Sequence, residues 1–285
     1  GCRTVKCREG YNLVQVFIGS EGTLGIVTEA TLRLAPLPES FVGVMAQYDS
    51  IEPLVKTVIE AKRRRLWLMI TEFVDDKAAE LLGLERKYYL WLGIDVNVGS
   101  ENSVKNSLVN VVENNGGKIA GEANNMSEFM KILEPRRALY SAGLKAAFND
   151  YGNDAIVIWE DIAVPISKLP DAVNDIAKLS DEYGFKVILG GHVGDGNLHP
   201  GFWIKRNAPE DEIKKFTKFV NAIGEVGIKY GGTFSAEHGV GTLKKDLMKM
   251  KYVNYLNSEV SINLMKSIKK IFDPYEILNP TKIFD

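Results

Sequence analysis

The sequence predicts an α+β fold: a ferredoxin-like antiparallel sheet with helices packed on it. Two observations carry this reading. From residue 41 onward, short β-rich segments are separated by single amphipathic helices, a pattern that suits a parallel sheet or split β-α-β units. The candidate strands starting at Ala155 and Gly194 are partly polar, which favours an antiparallel sheet with one open face. The open face is where a site is expected.

The elements follow in order. Residues 26–34, after a glycine-rich loop, are rich in β-branched side chains and read as a strand. Pro36 and Pro38 end that first unit, and residues 35–40 read as a linker. Strands are expected at 41–48, 66–73, 88–96, 155–164, 186–189 and 194–204, with a short extended piece at 118–121. Helices are expected at 51–64, 76–82, 102–115, 126–149, 169–183, 209–230, 244–252 and 258–272. Pro135 falls inside the long one, or at a break in it. No internal repeat is visible. The closing stretch from Ile277 to Asp285 is Pro-broken and apolar enough to dock rather than hang free.

Composition narrows function. Among 285 residues, 45% are apolar and 25% charged, the balance of an ordinary globular chain. A net charge of −2 gives no bulk field for nucleic acid or anionic membrane. No apolar run is long enough to span a bilayer. Cys2 and Cys7 are the two cysteines, which suggests a reducing, cytoplasmic setting.

The three histidines, His192, His199 and His238, all lie in glycine-rich segments. In Gly190-Gly191-His192-Val193-Gly194-Asp195-Gly196-Asn197-Leu198-His199, two imidazoles stand seven residues apart. On one continuous strand they would face opposite sides, so a turn at residues 194–196 is needed to bring them together. Two converging imidazoles make half of a metal site. The second segment, Ser235-Ala236-Glu237-His238-Gly239-Val240-Gly241, places a carboxylate beside the third histidine. Adjacent residues project in different directions, so one natural division makes Glu237 a metal ligand and His238 a base. The plainer alternative is that these histidines are turn or core residues. Asp195 reads as a turn former and Asn197 as a loop hydrogen-bonder. The loop Gly19-Ser20-Glu21-Gly22-Thr23-Leu24-Gly25 offers backbone N–H groups that could wrap a phosphate or ring edge, or could be only a tight turn.

Taken together, GSEGTLG followed by Ile26-Val27-Thr28, HVGDGNLH at 192–199, SAEHGVG at 235–241 and LNPTKIF at 278–284 resemble the C-terminal part of FAD-linked 2-hydroxy-acid dehydrogenases. This is the glycolate oxidase subunit, D-lactate dehydrogenase and D-2-hydroxyglutarate dehydrogenase group of the vanillyl-alcohol-oxidase superfamily. The resemblance covers nearly the whole chain, with the motifs in the family's order. It implies three parts: residues 1–38 as the end of an FAD-binding domain, 39–270 as a cap that binds substrate and metal, and 271–285 as a tail returning to the flavin. It implies FAD contacts at Gly19, Ser20, Glu21, Gly22, Thr23, Gly25, Ile26, Val27 and Asn279. It implies a divalent metal (zinc, or else iron or manganese) on His192, His199 and Glu237, with His238 near substrate and flavin. Arg136, in Leu133-Glu134-Pro135-Arg136-Arg137-Ala138, fits the family's arginine for the substrate carboxylate, the alternative being that Arg136 and Arg137 lie on an exposed helix face.

The family's pyrophosphate loop is absent from this sequence, so the expected partner is a separate FAD-binding chain or an N-terminal domain. Family members that take a second substrate carboxylate tend to have polar residues near the positions of Trp159 and Gly201 (two after His199), so the resemblance implies a small monocarboxylic acid such as glycolate or lactate. The implied activity is oxidation of a D-2-hydroxy acid to the 2-oxo acid, with an unnamed electron acceptor. That acceptor could associate the protein with a membrane, and a homo-oligomer is compatible with the pattern. The competing reading is a non-catalytic metal-binding subunit that docks a flavin-bearing partner. A metal hydrolase would leave GSEGTLG and NPTKIF unexplained.

Overall fold

A computed structural model describes residues 1–284; Asp285, the last residue of the expected tail, lies outside them. The chain forms two compact units, Leu37–Ala236, and Gly1–Pro36 together with Glu237–Asp285. The sequence reading places residues 237–270 with the cap, whereas their contacts group them with the N-terminal segment.

The larger unit carries one sheet. Its first half runs β1 (Ser40–Tyr48), a helix Ile51–Arg63, β2 (Leu68–Val74), a short helix Asp76–Leu81, β3 (Tyr88–Val96), a helix Glu101–Asn114 and β4 (Lys118–Ala123). Three helical pieces follow: Met126–Ile132, Glu134–Arg137 and Leu139–Tyr151. Pro135, near the start of the middle piece, divides what the sequence reads as one helix, because a proline ring removes a backbone donor and crowds the preceding turn. The second half runs β5 (Ala155–Trp159), β6 (Ile162–Ala163), a helix Leu169–Tyr183, β7 (Val187–His192), β8 (Asn197–Lys205) and a helix Glu210–Lys229. The strand order is β4-β1-β3-β2-β7-β8-β5, with β6 also on β8. Every pairing is antiparallel.

This order bears out the ferredoxin-like reading and adds a repeat that the sequence hides. Strands β1 to β4 have the split β-α-β arrangement, and β5, β7 and β8 repeat its first three strands. The halves join where β2 meets β7 over three residue pairs: Glu72 with His192, Phe73 with Gly191 and Val74 with Gly190.

One face of the sheet packs the long amphipathic helices. Leu54, Val55 and Val58 of Ile51–Arg63, and Ile176 of Leu169–Tyr183, join Val42, Val44, Phe73, Leu198 and Phe202 in one core. The other face is not open, as the strand polarity suggested. Phe129, Leu133, Leu139 and Ala147 cover it against Trp91, Ile188 and Trp203 in a second core. Covering both faces removes more apolar area from water than one layer of helices could, at roughly 25 cal/mol per Å².

Two other expectations change. Residues 26–34 form no strand, and Ile26, Val27, Leu32 and Leu34 are exposed, because a strand needs a neighbour to pair with and none is present among the described residues. Cys2 and Cys7 form a disulfide in the exposed N-terminal segment, so these cysteines do not by themselves mark a reducing compartment. Among the described residues no helix is long and apolar enough to cross a membrane.

The buried Asp75 caps the helix Asp76–Leu81, accepting from the Ala78 N–H at 2.7 Å. Burial pushes its carboxyl from 3.8 up to about 7. Over that interval the folded chain binds a proton that the unfolded chain has lost, so stability falls as pH rises from about 4 through about 7. Asn caps equally well without ionising. Denaturant unfolding should therefore show Asp75→Asn gaining most over the parent at pH 8 and little at pH 4.

Candidate functional site

The hairpin of β7 and β8 builds the centre of the larger unit's candidate site. The His192 carbonyl accepts from the N–H groups of Asp195 (3.1 Å) and Gly196 (3.2 Å), closing the turn. Asp195 Oδ1 accepts from the Asn197 N–H at 3.1 Å, so Asp195 is the turn former that the sequence suggests. At Gly196 φ is +88°, and a Cβ would lie 2.0 Å from the Val164 carbonyl oxygen, so only glycine fits. The register then sets His192 opposite Asn197 and Gly190 opposite His199. That puts the two imidazoles on the same face, diagonal to one another, with ring centroids 5.2 Å apart and ring planes at 86°. Each offers a ring nitrogen within 4.8 Å of the other's.

Gly190 lies on this face too. A Cβ there would meet Leu139 at 2.5 Å and the Arg136 guanidinium carbon at 3.6 Å. The bare glycine lets Arg136 lie close over the strand. Arg136 pairs with Glu72 (Nη2 to Oε2, 3.0 Å), with both side chains less than a fifth exposed. Burial pulls the guanidinium below its ordinary pKa, and Glu72 opposes that shift. Its buried Nε–H has no acceptor among the described residues. Arg137 is exposed. The structure thus separates Arg136, the arginine that the resemblance singles out, from its exposed neighbour Arg137.

Glu72 also reaches His192, its direct cross-strand partner, with Oε1 2.5 Å from Nδ1. Sequence reasoning passed over this residue. The signal was present: a single carboxylate in the otherwise uncharged strand Leu68–Val74. Asp161 was missed as well. It is fully buried, and its Oδ2 accepts from the Ser235 hydroxyl (3.0 Å) and the Ala236 N–H (2.8 Å). Thr233 and Ala163 exchange two backbone hydrogen bonds alongside. The chain leading to Glu237 is thereby fixed as far as Ala236. Asn197 is buried, with no partner for Oδ1 among the described residues. Farther along the face Trp159 covers Gly201, where a Cβ would come within 2.6 Å of the indole ring.

In the smaller unit, three of the sequence motifs meet around Glu21. One carboxylate oxygen accepts from the Val240 N–H at 2.6 Å and the other from the Gly241 N–H at 2.8 Å. The Asn279 side chain donates to the Glu21 carbonyl, and the Ile283 N–H donates to the Gly241 carbonyl at 2.9 Å. Gly239 has φ +89°, and a Cβ there would meet Glu21 Oε1 at 2.7 Å. His238 therefore stands on a turn wrapped round a carboxylate. Ser20 and Thr23 close the preceding bend, with the Thr23 hydroxyl donating to the Ser20 carbonyl at 2.7 Å. At Gly19 φ is +78°, a backbone conformation that favours glycine. Glu21 and Asn279, expected to touch the cofactor, here hold the motifs to one another.

With this geometry in hand, comparison with known proteins is direct. The chain matches the family "FAD linked oxidases, C-terminal domain" over residues 37–283. It belongs to that family of oxidoreductases. Among its relatives, the glycolate oxidase subunit GlcD of Bacillus subtilis is 32% identical, with all of this chain covering 59% of that protein. The D-2-hydroxyglutarate dehydrogenase of Stutzerimonas stutzeri is 32% identical, with 98% of this chain covering 60% of it. The D-lactate dehydrogenase of Anaerostipes hadrus is 29% identical, with 99% covering 60%. The chain thus spans about three-fifths of the length of these relatives. By fold it is similar to an alkyldihydroxyacetonephosphate synthase (TM-score 0.62, 14% identity, 97% of this chain and 50% of that one). A p-cresol methylhydroxylase also matches (TM-score 0.60, 13% identity, 88% and 54%).

Replacing Glu21 leaves two backbone N–H groups without their acceptor. Glu21→Ala should destabilise the smaller unit by about 1–3 kcal/mol. Limited proteolysis should show faster cleavage at residues 19–25, while the larger unit keeps its resistance.

Proposed function

We propose that the chain is the substrate- and metal-binding part of an FAD-dependent enzyme that oxidises a small D-2-hydroxy acid to the 2-oxo acid. The observation that carries this reading is the pair of imidazoles on one face of the β7–β8 hairpin, beside a buried arginine. Relatives of this chain are named for glycolate, D-lactate and D-2-hydroxyglutarate.

The donor set suits a divalent metal. His192 and His199 present nitrogen donors at a spacing that one ion bridges. Glu237 is proposed as the third ligand. It follows Ala236 by one peptide bond, and Ala236 is anchored on Asp161. Two imidazoles and one carboxylate leave coordination positions open for substrate, and zinc, iron and manganese all accept such a set. The loop at residues 19–25, with Ile26, Val27 and the Asn279 tail, is proposed to line the flavin. The exposed apolar stretch at residues 26–34 offers a surface for an FAD-binding part to cover.

When bound, FAD supplies the hydride acceptor and the metal lowers the pKa of the substrate hydroxyl. The chain's own residues do the rest. Arg136 binds the substrate carboxylate through the N–H groups that Glu72 does not occupy. His238, on its turn, removes the hydroxyl proton. Trp159 over Gly201 fills the space where a second substrate carboxylate would lie, which favours glycolate or lactate over a diacid.

In the intact flavoenzyme, His238→Ala should lower turnover by about 10²–10⁴-fold. Unchanged turnover removes His238 from the chemistry. Trp159→Ser should shift the kcat/KM ratio toward 2-hydroxyglutarate by about tenfold or more relative to lactate; a constant ratio contradicts the assignment of Trp159. A visible spectrum gives the broader test. Flavin absorbance bleached by D-lactate or glycolate supports the oxidation, and metal without flavin in the intact protein favours a non-catalytic subunit.

A further inference from the structure

We infer that Glu72 is a positioning residue that couples the metal-binding histidine to the substrate-binding arginine. The inference rests on the reading above and deepens it.

The backbone dictates the contact. Glu72 and His192 are direct cross-strand partners in the short ladder between β2 and β7. Side chains so placed stand on the same face, about 5 Å apart at Cβ. The carboxylate is divided between two tasks, with Oε1 2.5 Å from His192 Nδ1 and Oε2 3.0 Å from Arg136 Nη2. A carboxylate only accepts, so Nδ1 must carry the proton in that contact. Nε2 is then the nitrogen that carries the ring's lone pair, and the contact with Glu72 orients the ring. This is the relation by which a carboxylate behind an imidazole sets its tautomer and raises its basicity as a ligand. The same group compensates the charge of the largely buried Arg136, which lies over Gly190. A buried cation without its partner is costly. One carboxylate thereby fixes the two binding groups relative to each other.

The sharpest test compares metal affinity with substrate kinetics in the intact flavoenzyme. In Glu72→Gln one amide oxygen can still face a single donor, but it cannot serve both partners. Zinc affinity, measured by competition with a chromogenic chelator, should fall about 10–100-fold. KM for D-lactate, measured at saturating zinc, should rise while flavin content stays at the parent value. Glu72→Asp, which keeps the charge but shortens the reach, should fall between parent and Gln. Zinc affinity and KM both unchanged in Glu72→Gln overturn the inference. If the Gln variant does not fold, the Asp variant decides by the same two measurements. His192→Ala separates the two levels. If it keeps zinc at parental affinity, the metal reading itself fails. If it loses zinc while Glu72→Gln binds as tightly as the parent, only the role of Glu72 fails.

Discussion

The larger unit depends on a ladder of three residue pairs. Strands β2 and β7 are the inner edges of two half-sheets, and their contact over Glu72–Val74 and Gly190–His192 makes one sheet of two. The seam is short, and it is built from residues that could not otherwise approach. Gly190 makes room for Leu139 and Arg136, and a Cβ at Gly191 would lie 2.3 Å from the Asn197 carbonyl oxygen. A glutamate on one side and a histidine on the other are set face to face by register alone. Everything proposed for the chemistry of this unit is arranged around that pairing.

The fold was legible where periodicity is strong. Strand Tyr88–Val96 and helix Leu169–Tyr183 have the bounds that hydrophobic pattern assigns them. The duplicated β-α-β plan was invisible, because topology repeats without sequence repeating. The covered second face was also missed. The polarity of β5 and β8 reads as exposure to water, yet Trp203 of β8 lies buried with Leu139 and Ala147 in the second core. The strand expected at residues 26–34 shows a different limit. β-propensity describes what a segment would do beside a partner, and no partner is present here among the described residues.

The site was partly legible for a comparable reason. Glycines at fixed offsets from His192 and His199 announce a tight turn, and a tight turn places both rings on one face. Glu72 lies 120 residues from His192 in sequence, so only strand pairing could reveal the contact. Asp161 and Glu21 do not show as organisers in the sequence because they accept from backbone N–H groups far along the chain, which leave no mark on composition. Glu21 carries the cofactor expectation of its loop, and its carboxylate also holds the turn that carries His238.

The central claim is that the β7–β8 hairpin presents His192 and His199 as ligands of one divalent cation. Anomalous scattering from crystals of the intact enzyme, collected on both sides of the zinc, iron and manganese absorption edges, addresses it directly. The account predicts one peak within coordinating distance of both imidazoles, at about 2.0–2.2 Å from a nitrogen of each. A fully active enzyme with no peak at those rings would contradict it.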